Sequence, residues 1–224
     1  MNIWIILIAV MLLSFAIQQV LQSKFNKYSK IANSAGLTGA EVAQKMLDYY
    51  GITNVQIRRT NGVLTDHFDP RSRTVNLSDG VYSSNSIAAA AVAAHECGHV
   101  VQYAQGYAPV KLRTALVPVV NFSNMAVQWV LLLGVLLVNT FPAILWCGIA
   151  LFAMTTLFSL VTLPCEVNAS SRAISWLSNS GIADEKTRPM AVDALKWAAY
   201  TYVIAAIGSL ATLFYYIGIA TRRD

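Results

Sequence analysis

The chain has 224 residues, 56% of them hydrophobic and 12% charged, with a mean hydropathy of +0.51 and a net charge of +5. Soluble domains carry about 25% charged residues, so this composition excludes an ordinary soluble protein and places much of the chain in lipid. The Lys and Arg residues form no dense stripe interleaved with aromatics, which argues against nucleic acid as a partner. The three cysteines, Cys97, Cys147 and Cys165, lack the CxxC spacing of a cysteine-rich zinc site.

Residues 1–23 come first, and from Ile3 to Ser23 they carry no charge. That length crosses a hydrocarbon core of about 30 Å. With no basic segment before it and no small-x-small cleavage site before Lys24, a retained transmembrane anchor is expected rather than a signal peptide.

Residues 24–114 have the composition of a small α+β domain. Thr38-x-x-Glu41 has the form of a capping box, opening a helix that runs through Tyr50 and ends at Gly51. Three short extended segments follow, Val55–Arg59, Val63–Phe68 and Arg73–Leu77. Asn61-Gly62 predicts a hairpin between the first two, Asp69-Pro70 breaks the chain before the third, and the set predicts an antiparallel sheet. An alanine-rich helix is expected from Ile87 to Tyr103.

Residues 115–163 contain two uncharged spans, Leu116–Val138 and Ala143–Leu163, joined by Asn139-Thr140-Phe141-Pro142, which reads as a transmembrane hairpin. Residues 164–196 are polar again. Residues 197–224 supply a fourth span, Trp197–Ile219, and a tail ending Arg222-Arg223-Asp224. Four spans put both polar segments on one side of the membrane. Those segments hold Lys24, Lys27, Lys30, Lys111, Arg113, Arg172, Lys186, Arg188 and Lys196, against Arg222 and Arg223 opposite, so the positive-inside rule predicts a cytoplasmic site in a multi-pass cell-membrane protein.

The alanine-rich helix contains His95-Glu96-Cys97-Gly98-His99, an HExxH sequence. On a helix, positions i and i+4 share a face, so two imidazoles can meet one Zn²⁺ at roughly 2.0–2.1 Å each. Glu96 projects beside them, where a carboxylate can take a proton from metal-bound water and pass it to a leaving amine. A carboxylate and two imidazoles in so apolar a segment would be costly to bury without a partner. Cys97 is an intervening position and is expected to pack rather than ligate.

A catalytic zinc takes a third protein ligand. Glu166 is the preferred candidate, because it follows the third span at once and two spans separate it from His99, which returns it to the same face. His67, the remaining histidine, is a rival, and it also sits on a strand that can present an edge to a bound peptide. Arg172 can stabilise an oxyanion or neutralise Glu166 or lipid headgroups. Asn168 can hydrogen-bond a ligand or cap a helix.

On Leu64-Thr65-Asp66-His67-Phe68-Asp69-Pro70, Ala94-His95-Glu96-Cys97-Gly98-His99 and Glu166-Val167-Asn168-Ala169-Ser170, the chain resembles the YugP-like family of bacterial neutral zinc metallopeptidases over nearly its whole length. In plan it is also similar to the HtpX-type membrane proteases. The resemblance implies a gluzincin-type site, with His95, His99 and Glu166 holding one catalytic Zn²⁺ and Glu96 as general base. The expected fold is an α-rich integral membrane protein, with four transmembrane helices and a small α+β, zincin-like domain at 24–114 carrying the HExxH helix.

The expected activity is that of a membrane-embedded zinc endopeptidase, with the lipid bilayer and a protein or peptide substrate as partners, cutting membrane-associated or misfolded proteins at the cytoplasmic face in membrane protein quality control. The alternative is a non-proteolytic scaffold or adaptor with a structural zinc, which has no use for a base at Glu96. A transporter would need ionisable groups within the spans; the four spans carry no charge between their ends.

Overall fold

A computed structural model describes residues 3–221; Arg222 and Arg223, which enter the orientation argument, and Asp224 lie outside them. The elements are α1 (Ile3–Tyr28), α2 (Gly39–Tyr49), β1 (Gln56–Thr60), β2 (His67–Asp69), β3 (Thr74–Ser78), α3 (Asp79–Tyr82), α4 (Ile87–Ala104), α5 (Ala108–Leu136), α6 (Pro142–Asn179) and α7 (Arg188–Thr221). Among the described residues, α1, α5, α6 and α7 are long and apolar enough to cross a membrane. The protein is an α-rich membrane protein with a small α+β region. It divides into two compact units, one of residues 1–16, 108–164 and 201–224, the other of residues 17–107 and 165–200.

In the first unit the helices approach through small residues, as expected where lipid leaves packing and hydrogen bonds to drive association. A Cβ on Gly134 would lie 2.6 Å from the Leu145 Cα, and one on Gly148 would lie 2.8 Å from the Leu131 side chain, so α5 and the start of α6 form a tight hairpin. Pro142 opens α6, where its missing N–H costs nothing. Thr156 and Ser209 share a hydrogen bond of 2.9 Å between α6 and α7.

In the second unit α2 starts as expected. The Thr38 hydroxyl accepts from Glu41 N and the Glu41 carboxylate accepts from Thr38 N. These bonds hold the Glu41 carboxyl below its usual range. The fully buried residues Val42, Ala43, Met46 and Leu47 form the stripe that packs α2 against α4. Ser86 caps α4 by accepting from Ala89 N at 3.1 Å. Ile87 through Ala91, Ala93 and Ala94 are all fully buried, which explains the alanine content: short side chains let neighbouring elements close in on a core helix.

The sheet differs from the expected hairpin. Its order is β1-β3-β2, with β1 parallel and β2 antiparallel to β3, so β1 and β2 are not neighbours. The tight turn lies between β2 and β3. There Asp69 accepts from Arg71 N at 2.8 Å, Pro70 follows it, and Arg73 takes a positive φ of 52°. Asp followed by Pro is a strong type I turn sequence, and it outcompetes Asn61-Gly62. Segment 61–66 instead crosses to the far edge, where the Asp66 carboxylate accepts from both Ser78 N and the Ser78 hydroxyl. The central strand is β3, with Thr74, Val75, Leu77 and Ser78 buried.

Beyond the third apolar span the chain does not leave the helix. α6 passes through Pro164 and ends only at Asn179. Its 38 residues span about 57 Å at 1.5 Å per residue, far more than a hydrocarbon core requires. The α6–α7 connection is closed by Asp184, whose Oδ1 accepts from Thr187 N at 2.8 Å, the Thr187 hydroxyl at 2.8 Å and Lys186 N at 3.0 Å. The Thr187 backbone bond and its companions push the Asp184 carboxyl down to about 2 from an ordinary 3.8. Because the folded value is the lower one, the stabilisation is present above the unfolded value and is lost as pH falls through the folded one. Melting curves of Asp184→Ala should therefore lie below wild type at pH 7, with the gap closing as pH falls from 4 towards 2; a gap independent of pH refutes the assignment.

Candidate metal centre

α4 places His95 and His99 one turn apart on one face, with ring centroids 4.8 Å apart and side chains 13% exposed. Opposite them on α6 stands Glu166, 3% exposed, with Oε2 at 3.3 Å from His95 Nε2 and 3.4 Å from His99 Nε2. The three donor atoms lie within 4.8 Å of one another. Zinc bonds of roughly 2.0–2.1 Å at tetrahedral angles set neighbouring donors about 3.3–3.4 Å apart, so both carboxylate–imidazole spacings fit that ion. Nitrogen and carboxylate oxygen are also the donor types zinc takes.

Glycine at position 98 makes this approach feasible. A Cβ there would lie 2.7 Å from the Ala169 carbonyl oxygen and 3.1 Å from its Cα. The backbone of α6 therefore occupies the space a side chain at 98 would need, which carries Glu166 within reach of both histidines.

The ring nitrogens that face away from Glu166 are also engaged. His95 Nδ1 is 3.1 Å from the Ser170 hydroxyl, and His99 Nδ1 is 3.0 Å from Gln102 Oε1. Burial disfavours charge on His99, but the hydrogen bond it donates to the Glu166 carboxylate when charged and the charges of Glu96 and Glu166 outweigh it, so its imidazole is raised above its ordinary value. The local field favours a positive charge at this point.

Glu96 does not join the cluster. It is 8% exposed, and its Oε2 accepts from Phe68 N of β2 at 3.1 Å, so the edge strand holds the carboxylate beside the histidines. Cys97 is fully buried, with its thiol 3.6 Å from the Ala43 carbonyl oxygen and pushed up by burial. It packs, as expected.

His67 is not brought to the cluster. It is exposed on β2, with Nδ1 2.8 Å from the Thr65 carbonyl oxygen and Nε2 3.2 Å from Asn76 Nδ2. Asn168 accepts from Gln102 Nε2 at 3.0 Å and Arg172 Nε at 2.7 Å, while Arg172 Nη1 donates to Gln105 Oε1 at 2.8 Å. Gln102 and Ser170 escaped the sequence reading. Gln102 follows His99 by three, which puts it on the same helix face. Nothing local to Ser170 points to His95.

A helical membrane protein with two imidazoles and a carboxylate grouped so that they could hold a metal ion is what the fold and this centre define. Residues 3–221 match the model of a family described as "Putative neutral zinc metallopeptidase". A curated relative, "Putative membrane protease YugP" of Bacillus subtilis (strain 168), is 42% identical over 210 residues, covering 94% of this chain and 92% of that protein. The chain belongs to this family of zinc metallopeptidases, and the family implies zinc as the metal. No solved structure matches it.

Because the Ala169 backbone has little room to yield, Gly98→Ala should destabilise the protein by about 1–3 kcal/mol and lower bound zinc below wild type. Thermal melting and metal analysis of the purified variant check this; unchanged zinc content would show that the α4–α6 approach is not what sets the cluster.

Proposed function

We propose that the protein is a membrane-embedded zinc endopeptidase in which His95, His99 and Glu166 hold the metal in a gluzincin-type arrangement and Glu96 is the general base. The observation that carries this reading is the convergence of three lone-pair donors from α4 and α6, with a fourth group, the Glu96 carboxylate, held just outside them. A structural zinc site has no use for that fourth group.

When bound there, Zn²⁺ supplies a Lewis acid that polarises a carbonyl and lets water act as a nucleophile near neutral pH. Glu96 does the proton work: its carboxylate accepts a proton from the attacking water and returns it to the departing amine. The Phe68 N–H keeps one Glu96 oxygen occupied and leaves the other for that transfer. β2 lies at the edge of the sheet, so an extended substrate can pair with its outer side, and His67 sits on that strand to contact it.

The substrates proposed are membrane-associated or misfolded proteins, cut at the cytoplasmic face. The basic residues of segments 24–114 and 164–196 support that orientation. A membrane-impermeant maleimide in intact cells should fail to label a cysteine introduced at exposed Ser72, and labelling before permeabilisation would place the site outside.

For the chemistry, detergent-purified protein should bind one zinc per chain and cleave casein. Glu96→Gln should keep the metal and lose cleavage by roughly 10²-fold or more, and Glu166→Ala should lose the metal. A Glu96→Gln variant as active as wild type would remove the peptidase reading, and zinc retained in Glu166→Ala would remove Glu166 as the third ligand.

A further inference from the structure

The polar contacts behind His99 have only one consistent set of directions. Gln102 is fully buried, and its Nε2 donates to the Cys165 carbonyl oxygen at 2.7 Å and to Asn168 Oδ1 at 3.0 Å. A carbonyl can only accept, so the amide nitrogen of Gln102 must face Cys165, and its oxygen must face His99. That oxygen cannot donate. A proton on His99 therefore sits on Nδ1, 3.0 Å away, which leaves Nε2, the atom facing Glu166, as the nitrogen whose lone pair a metal would take.

Asn168 is set by the same logic. Arg172 has no acceptor, so its Nε at 2.7 Å obliges Asn168 to present oxygen rather than its NH₂ group. The Asn168 oxygen obliges Gln102 to present nitrogen, and the Gln102 oxygen obliges His99 to donate. Gln105 steadies the far end through Arg172 Nη1. His95 has no equivalent: its partner is the Ser170 hydroxyl, which donates or accepts equally well and imposes no direction.

We propose that Gln102 is a positioning residue that locks the His99 tautomer for metal binding, and that Arg172 acts on that lock through Asn168 rather than on the substrate. This rests on the metal reading of the His95, His99 and Glu166 cluster. The Arg172 guanidinium is directed to Asn168 through Nε and to Gln105 through Nη1. The arrangement makes the two imidazoles unequal, with the outer partner of His99 fixed and that of His95 free to rotate.

The chain has three histidines, so ¹⁵N-histidine labelling of the detergent-solubilised protein resolves each ring. In zinc-loaded wild type, His99 should show a protonated Nδ1 and a coordinating Nε2. Chelator competition should give Gln102→Leu a zinc affinity roughly 10–100-fold below wild type, and Arg172→Ala a smaller loss in the same direction. Asn168→Leu should weaken zinc like Gln102→Leu, whereas Asn168→Asp, which still offers oxygen to both donors, should stay within about threefold of wild type.

Gln102→Leu with wild-type affinity and an unshifted His99 Nδ1 signal overturns the lock. Arg172→Ala that slows turnover at unchanged zinc affinity overturns its assigned role in favour of a substrate contact. If Gln102→Leu fails to fold, the Asn168→Leu and Asn168→Asp pair decides. If wild type binds no zinc, the metal reading itself has failed, and the His99 tautomer in the metal-free protein still shows whether Gln102 directs it.

Discussion

The close approach of α6 to α4 at Gly98 is the constraint on which the centre depends. With the Ala169 backbone where a side chain at 98 would stand, Glu166 and Ser170 come to the histidine face of α4, as do Cys165 and Asn168 to Gln102. A wider crossing would break all of these contacts together, because they share one helix-to-helix distance. The contact is steric, and it is the reason the polar contacts can be short.

Burying a carboxylate against two imidazoles would be costly in an apolar unit without a compensating charge. Glu166 is 3% exposed and the surrounding α4 residues are mostly alanine, so there is little water to share the burden. In the proposed reading, a divalent cation at the convergence point meets this need by cancelling the carboxylate charge. Glu96 is spared that role by β2, whose backbone N–H holds it aside. Two carboxylates of similar burial thus have different partners, the ground for proposing different duties for them.

The length of α6 matters in the same way. Glu166 stands on this helix, so the proposed third donor is positioned by a helix and not by a loop. The polar contacts from Arg172 to His99 likewise join side chains of α6 and α4.

The sequence alone determined a good part of this. The four uncharged runs are as long as a bilayer core requires, and because a backbone in lipid must pair within itself such runs fold as helices, so the four long apolar helices were legible for that reason. Thr38-x-x-Glu41 and the i, i+4 histidines were legible because both depend on the local period of one helix. Glu166 was reachable by counting spans. Tertiary structure alone decided the strand order, since two turn sequences competed and only packing of the buried β3 selects between them. It alone decided that Gln102 and Ser170 stand behind the histidines and that Arg172 turns to Asn168 and Gln105. Those contacts join residues 67 to 75 positions apart in the chain, or follow from a rotamer that such a contact fixes, and no local periodicity encodes them.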